Sequence, residues 1–144
     1  KTGCLETGAS GSAAYRIFME KLNEGRTSTL SEKFNKGEHI HIEDIIDAVR
    51  EEDVLAIEVI EEIGTTLGRA IAGLINLFNP ELIVIGGSIA STKEYLLLPI
   101  ASAIQKHSLN IINSDTSIKF SKLGKRAGAI GSCMLGRSKF LGLL

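Results

Sequence analysis

Tryptophan is absent from this 144-residue chain, and aromatic residues make up only 5% of it. Leu, Ile, Val and Ala must therefore build the core. The two cysteines, Cys4 and Cys133, stand far apart. Such a pair is no disulfide framework, and a reducing cytoplasm is the expected compartment. Every apolar run stops well short of the ~20 residues that a membrane helix needs, so no membrane partner is expected. Also missing are a Walker-type phosphate loop, a His-Glu-x-x-His pair and a Cys-x-x-Cys pair. No internal repeat or low-complexity linker interrupts the chain. No set of residues in this sequence makes a complete active site.

What is present is ordinary globular composition, with 44% apolar and 23% charged residues. The length fits a single domain over 1–144. A domain of about 150 residues buries roughly 68–70% of its unfolded surface, enough for a real core. Net charge is −1 but unevenly spread. From Thr116 onward stand Lys119, Lys122, Lys125, Arg126, Arg137 and Lys139, with no acid among them. A basic tail can touch nucleic acid. A solvated face balanced by acidic helices upstream is the favoured reading.

Apolar spacing predicts a helix from Ala9 to Asn23, ended by Gly25. Thr29 and Glu32 have capping-box spacing. Ile42 to Arg50 is helical in pattern, and Asp53 is placed to cap the next element. That element is the strongest signal in the chain. Ile57, Ile60, Ile63, Leu67, Ile71, Leu74 and Phe78 recur every three or four residues from Val54 to Phe78. Gly64, Gly68 and Ala72 form a second stripe, which predicts close approach of a helix or a sheet. Asn79-Pro80 stops the helix. Leu82 to Ile85, closed by Gly86 and Gly87, reads as a buried strand entering a tight turn. Ser91 and Glu94 again have capping-box spacing, before a helix over 92–107 that Pro99 should kink or break. Ser117 to Leu123 reads as a second strand and Lys125 to Arg137 as a closing helix. This order is α/β, helix-rich with few strands.

Four positions could carry chemistry. Cys4 is either a small terminal or buried thiol, or one ligand of a zinc that needs about four. Glu6 is either a carboxylate at a helix N-terminus or an acceptor for a pair of ligand hydroxyls. Gly86 and Gly87 are either a plain tight turn or a place where backbone meets a flat ligand at a strand's C-terminal end. Gly124, Gly128 and Gly131 point first to close helix–sheet packing. The acids Asp44, Asp47, Glu51 and Glu52 read as a wetted helix face.

Taken together, these segments resemble the ROK family (repressors, open reading frames and sugar kinases). Lys1-Thr2-Gly3-Cys4-Leu5-Glu6 matches the last six positions of its Cys-x-Cys-Gly-x-x-Gly-Cys-x-Glu motif. Asn79-Pro80-Glu81-Leu82-Ile83-Val84-Ile85-Gly86-Gly87 matches its Asn-Pro-Glu-x-Ile-x-x-Gly-Gly block, and Ala127 to Gly131 resembles its closing small-residue helix. The resemblance implies the C-terminal part of an actin-like, ribonuclease H-like ATPase lobe. It implies that Cys4 is the last ligand of a zinc in a longer parent, that Glu6 contacts a sugar hydroxyl, and that Gly86 and Gly87 border the adenosine site in kinase members. The phosphate loop, the catalytic Asp and three further zinc ligands would precede Lys1. This chain alone is then expected neither to phosphorylate a sugar nor to hold that zinc.

Two functions follow for the parent. One is a NagC-like transcriptional regulator that senses a sugar or sugar phosphate and reads DNA through a separate N-terminal domain. The other is an ATP-dependent sugar kinase, with magnesium and ATP as cofactors. Either is expected to be a cytoplasmic homo-oligomer. A scaffold that only dimerises is the blandest reading.

Overall fold

One 25-residue helix organises the chain, Val54–Phe78. The structure, a computed structural model, describes residues 3–109 and 116–142. Lys1 and Thr2 of the opening motif lie outside the described residues, as does the side chain of Lys125. In chain order the helices are α1 (Leu5–Gly8), α2 (Gly11–Asn23), α3 (Ser31–Asn35), α4 (Ile42–Arg50) and α5 (Val54–Phe78). Strand β1 (Leu82–Ile85), a 3-10 turn over Ser88–Thr92, α6 (Glu94–His107), β2 (Ser117–Phe120), a second 3-10 turn over Gly124–Arg126 and α7 (Ala127–Phe140) follow.

Asp53 starts α5 by accepting the Ala56 N–H at 2.8 Å. Asn79 ends it in the left-handed conformation at φ 43°, a geometry that Asn tolerates better than most residues. One stripe of α5, including Leu55, Val59, Ile60, Ile63, Ile71 and Ile75, is buried. It meets Ala14, Ile17 and Phe18 of α2, Ile45 and Val49 of α4, and Leu96 and Ile100 of α6 in one core. The glycine stripe does what its spacing predicts. A methyl group at Gly64 would lie 2.6 Å from Pro99 Cγ, so α6 runs directly against the α5 backbone. Helix α6 continues through Pro99 rather than breaking there.

The strands pair in parallel, Leu82 opposite Ser117 and Ile85 opposite Phe120. A parallel pair needs a crossover, and α6 lies in it. Strand β1 is not buried on both faces as its composition suggests. Ile85 is buried while Leu82 and Val84 are exposed. Among the described residues, only one face of this pair is covered. Helix α7 buries none of its residues. Gly128 and Gly131 have no other described atom within 4 Å of a would-be side chain, so the expected close helix–sheet packing is not seen there.

Two capping boxes expected from spacing are also not seen. The Thr29 N–H instead donates to Asp53 Oδ2 at 2.6 Å, and α3 begins later, at Ser31. Ser91 Oγ donates to the Ser88 carbonyl at 2.8 Å, leaving α6 to start after Lys93.

Candidate functional site

The turn after β1 is the centre of the site. Gly87 has φ +100° and ψ 177°, a conformation that a side chain strongly disfavours. It has open space where a Cβ would stand, so its backbone is free to be approached. Gly86 packs more closely, its would-be Cβ 3.7 Å from Ser121 Cβ. The Ser121 N–H donates to the Ile85 carbonyl at 2.8 Å, which ties the end of β1 to the segment after β2.

Two clefts meet at this turn. The first holds about 400 Å³, between Ala9, Ser10 and Gly11 on one side and Ile83 to Ile89 on the other, with Leu67 and Ile71 of α5 beneath. Its lining is largely apolar. The second holds about 310 Å³, where Glu43, Ile46, Asp47 and Arg50 of α4 face Gly87, Ser88, Ser91 and Gly124. Arg50 Nη1 lies 2.6 Å from Asp47 Oδ1, an ion pair at that cleft. Ser88 lines both clefts.

Helix α4 is held by two buried or half-buried carboxylates. The Lys33 ammonium, 2.8 Å from Asp44 Oδ2, and the His41 N–H hold the Asp44 carboxyl below the usual carboxylate range against the effect of burial. Burial pushes the Asp53 carboxyl up, but N–H bonds from Thr29 and Ala56, with the Ser28 and Thr29 hydroxyls, outweigh it and lower its pKa.

Cys4 and Glu6 sit apart from these clefts, and neither lines one of them. Cys4 is an exposed free thiol at the start of α1, and its carbonyl accepts the Thr7 hydroxyl at 2.7 Å. Glu6 is exposed in the single turn of α1. That turn is fastened to its surroundings: Arg16 Nη2 donates to the Thr7 carbonyl at 3.2 Å, and Gly8 abuts Thr66 of α5. The structure thus brings Ala9–Gly11, three residues beyond Glu6, to Gly86 and Gly87, but not Glu6 itself. Among the described residues no three His, Cys, Asp or Glu side chains gather as metal ligands. One thiolate does not make a tetrahedral zinc site, so the described residues alone do not fit the zinc that the opening motif implies. The open backbone of Gly87, by contrast, fits the nucleoside end of a nucleotide.

Sequence reasoning passed over Ser88, Ile46, Arg50 and Ala9–Gly11. Ser88 carried a signal in directly following the glycine pair. The others reach the clefts only through tertiary packing.

The sequence signature described as "ROK family" matches residues 1–139. This chain belongs to the ROK family. It is 37% identical over 131 residues to a glucokinase of Halalkalibacterium halodurans, covering 91% of this chain and 40% of that protein. It is 34% identical over 142 residues to the DNA-binding transcriptional dual regulator NagC of Escherichia coli, covering 99% of this chain and 34% of NagC. The crystal structure of a ROK family transcriptional regulator, a homologue of the Escherichia coli MLC protein, superposes with a TM-score of 0.75 at 40% identity. That match covers 83% of this chain and 29% of the regulator. This ROK chain therefore spans well under half the length of these relatives. Its fold is that of the actin-like ATPases, α/β and helix-rich. Among the described residues no helix is long and apolar enough to cross a membrane.

Proposed function

We propose that this chain is the sugar-facing C-terminal part of a NagC-like ROK transcriptional regulator. The observation that carries the reading is the 40% identity to a ROK regulator of known structure. In this reading Glu6 accepts hydrogen bonds from sugar hydroxyls, as an ionised carboxylate does well. Cys4 completes a zinc site whose other ligands lie outside this chain. Gly86 and Gly87 border the cleft that takes adenosine in kinase members. DNA contact comes from a domain outside this chain, and the whole protein is a cytoplasmic homo-oligomer. Sugar acts by binding one arrangement of the lobes more tightly than another, the only way a ligand shifts such an equilibrium.

A second reading is supported by the 37% identity to a glucokinase. Here the parent is an ATP-dependent sugar kinase, and the glycine turn holds the nucleotide while positioning and charge stabilisation carry catalysis.

The deciding experiment uses the full-length protein. Operator DNA binding that a sugar or sugar phosphate releases, without ATP consumption, supports the regulator. Transfer of phosphate from ATP to a hexose, without DNA binding, replaces it with the kinase. Calorimetry that detects no sugar at all sinks both.

A further inference from the structure

The His39-Ile40-His41 segment has no part in the site above. Ile40 is buried, 1% exposed, in an extended stretch. Neighbouring side chains in extended backbone point to opposite sides, so burying Ile40 turns both imidazoles outward together. They touch, with ring centroids 4.5 Å apart. The backbone beneath them is fixed. The His41 N–H donates to Asp44 Oδ2 at 2.6 Å, and Lys33 holds the same oxygen at 2.8 Å. Both rings line an open groove of about 420 Å³ with Ser12, Tyr15 and Ser88, and no carboxylate lines it. Neither imidazole is hydrogen-bonded to a described residue, so its ring nitrogens are free for another partner.

We propose that His39 and His41 form a two-imidazole chelate for a divalent transition-metal ion, with water completing its shell. The rings now stand edge to face at 84°. Both are exposed and turn about their side-chain bonds to aim one nitrogen each at a shared ion, ~2.0–2.1 Å away for zinc. Imidazole donors without carboxylate select copper, nickel or zinc over magnesium or calcium. The ion would sit beside Ser88, next to the glycine turn.

The test titrates nickel(II) into the whole chain carrying Cys4→Ser and Cys133→Ser, which removes the exposed thiols as competing ligands. One ion per chain is expected. His39→Ala and His41→Ala should each weaken binding about tenfold or more, since the second ligand is then lost from an effectively intramolecular step. His107→Ala, on α6, should leave it unchanged. With copper(II), the electron paramagnetic resonance spectrum should show two equatorial nitrogens. Single-histidine variants that bind as tightly as the parent, no saturable binding at one equivalent, or a one-nitrogen copper spectrum overturn the proposal.

Discussion

Gly68 lies so close to Ile100 that a methyl group on it would stand 2.7 Å from the Ile100 carbonyl oxygen and 2.9 Å from its Cα. The neighbour is backbone and cannot swing aside, so α5 and α6 can reach their observed separation only with glycine here. Gly68→Ala gains about 1 kcal/mol at most from helix propensity and loses more to overpacking, about 1–3 kcal/mol. Chemical denaturation of this chain should show net destabilisation. Gly73, on the same helix with open space around it, supplies the control. Gly73→Ala should stabilise the chain by about 0.5–1 kcal/mol. Equal effects at the two positions would mean that contact with α6 does not set the helix spacing.

The glycine turn makes a different demand. Gly87 meets nothing within 4 Å, so Gly87→Ala creates no clash, yet its φ of +100° strains any side chain. The expected cost is about 1–3 kcal/mol, read by denaturation of this chain. A proline-free, flexible replacement does not relieve it, because only glycine lacks the Cβ that causes the strain. An unchanged midpoint would show that the turn relaxes at little cost.

Much of this fold was legible in the sequence because the signals were local. Asp53, the three-to-four spacing and Asn79-Pro80 delimit α5 at both ends, and the glycine stripe announces the approach of α6. The failures share one physical origin. Ser91 and Thr29 look like caps by spacing, but tertiary partners claim them: Ser88 takes the Ser91 hydroxyl and Asp53 takes the Thr29 N–H. Burial fails for the same reason. Val84 and the residues of α7 have the composition of a core, yet no described residue covers them. At the site, Glu6 and the glycine pair stand out by motif. Ile46 and Arg50 do not, because only folding carries α4 across to Gly87.

Asp53 joins two distant parts of the chain. One oxygen accepts the Ala56 N–H that starts α5, and the other accepts the Thr29 N–H of the loop before α3. Asp53→Ala removes the cap, worth about 0.5–2 kcal/mol, and leaves a part-buried N–H unpaired, at about 1–3 kcal/mol. Asp53→Asn should cost less, since Asn also caps well. The two variants differ in pH response too. The Asp53 carboxyl is lowered from 3.8 in the folded chain. Its contribution is therefore complete above the unfolded-state pKa and is lost as pH falls through the lower folded value. Thermal melts of the parent chain should lose this increment below about pH 4, and melts of Asp53→Asn should not. Parallel pH profiles for the two proteins would remove Asp53 from the account.

Glu6 carries the sugar-binding proposal. It is exposed on a one-turn helix whose backbone Arg16 and Gly8 anchor. An exposed carboxylate contributes little to folding, so Glu6→Gln in the full-length protein should leave thermal stability within about 0.5 kcal/mol. Hydrogen bonds to a charged acceptor are worth about 1.5–3 kcal/mol each. Losing the charge against a sugar hydroxyl pair should therefore weaken sugar affinity about tenfold to a hundredfold. Calorimetric titration of folded Glu6→Gln with candidate sugars measures it. Unchanged affinity in a folded variant would move the sugar contact away from this residue and leave the cleft at Ala9–Gly11 and Gly86 as the place to look.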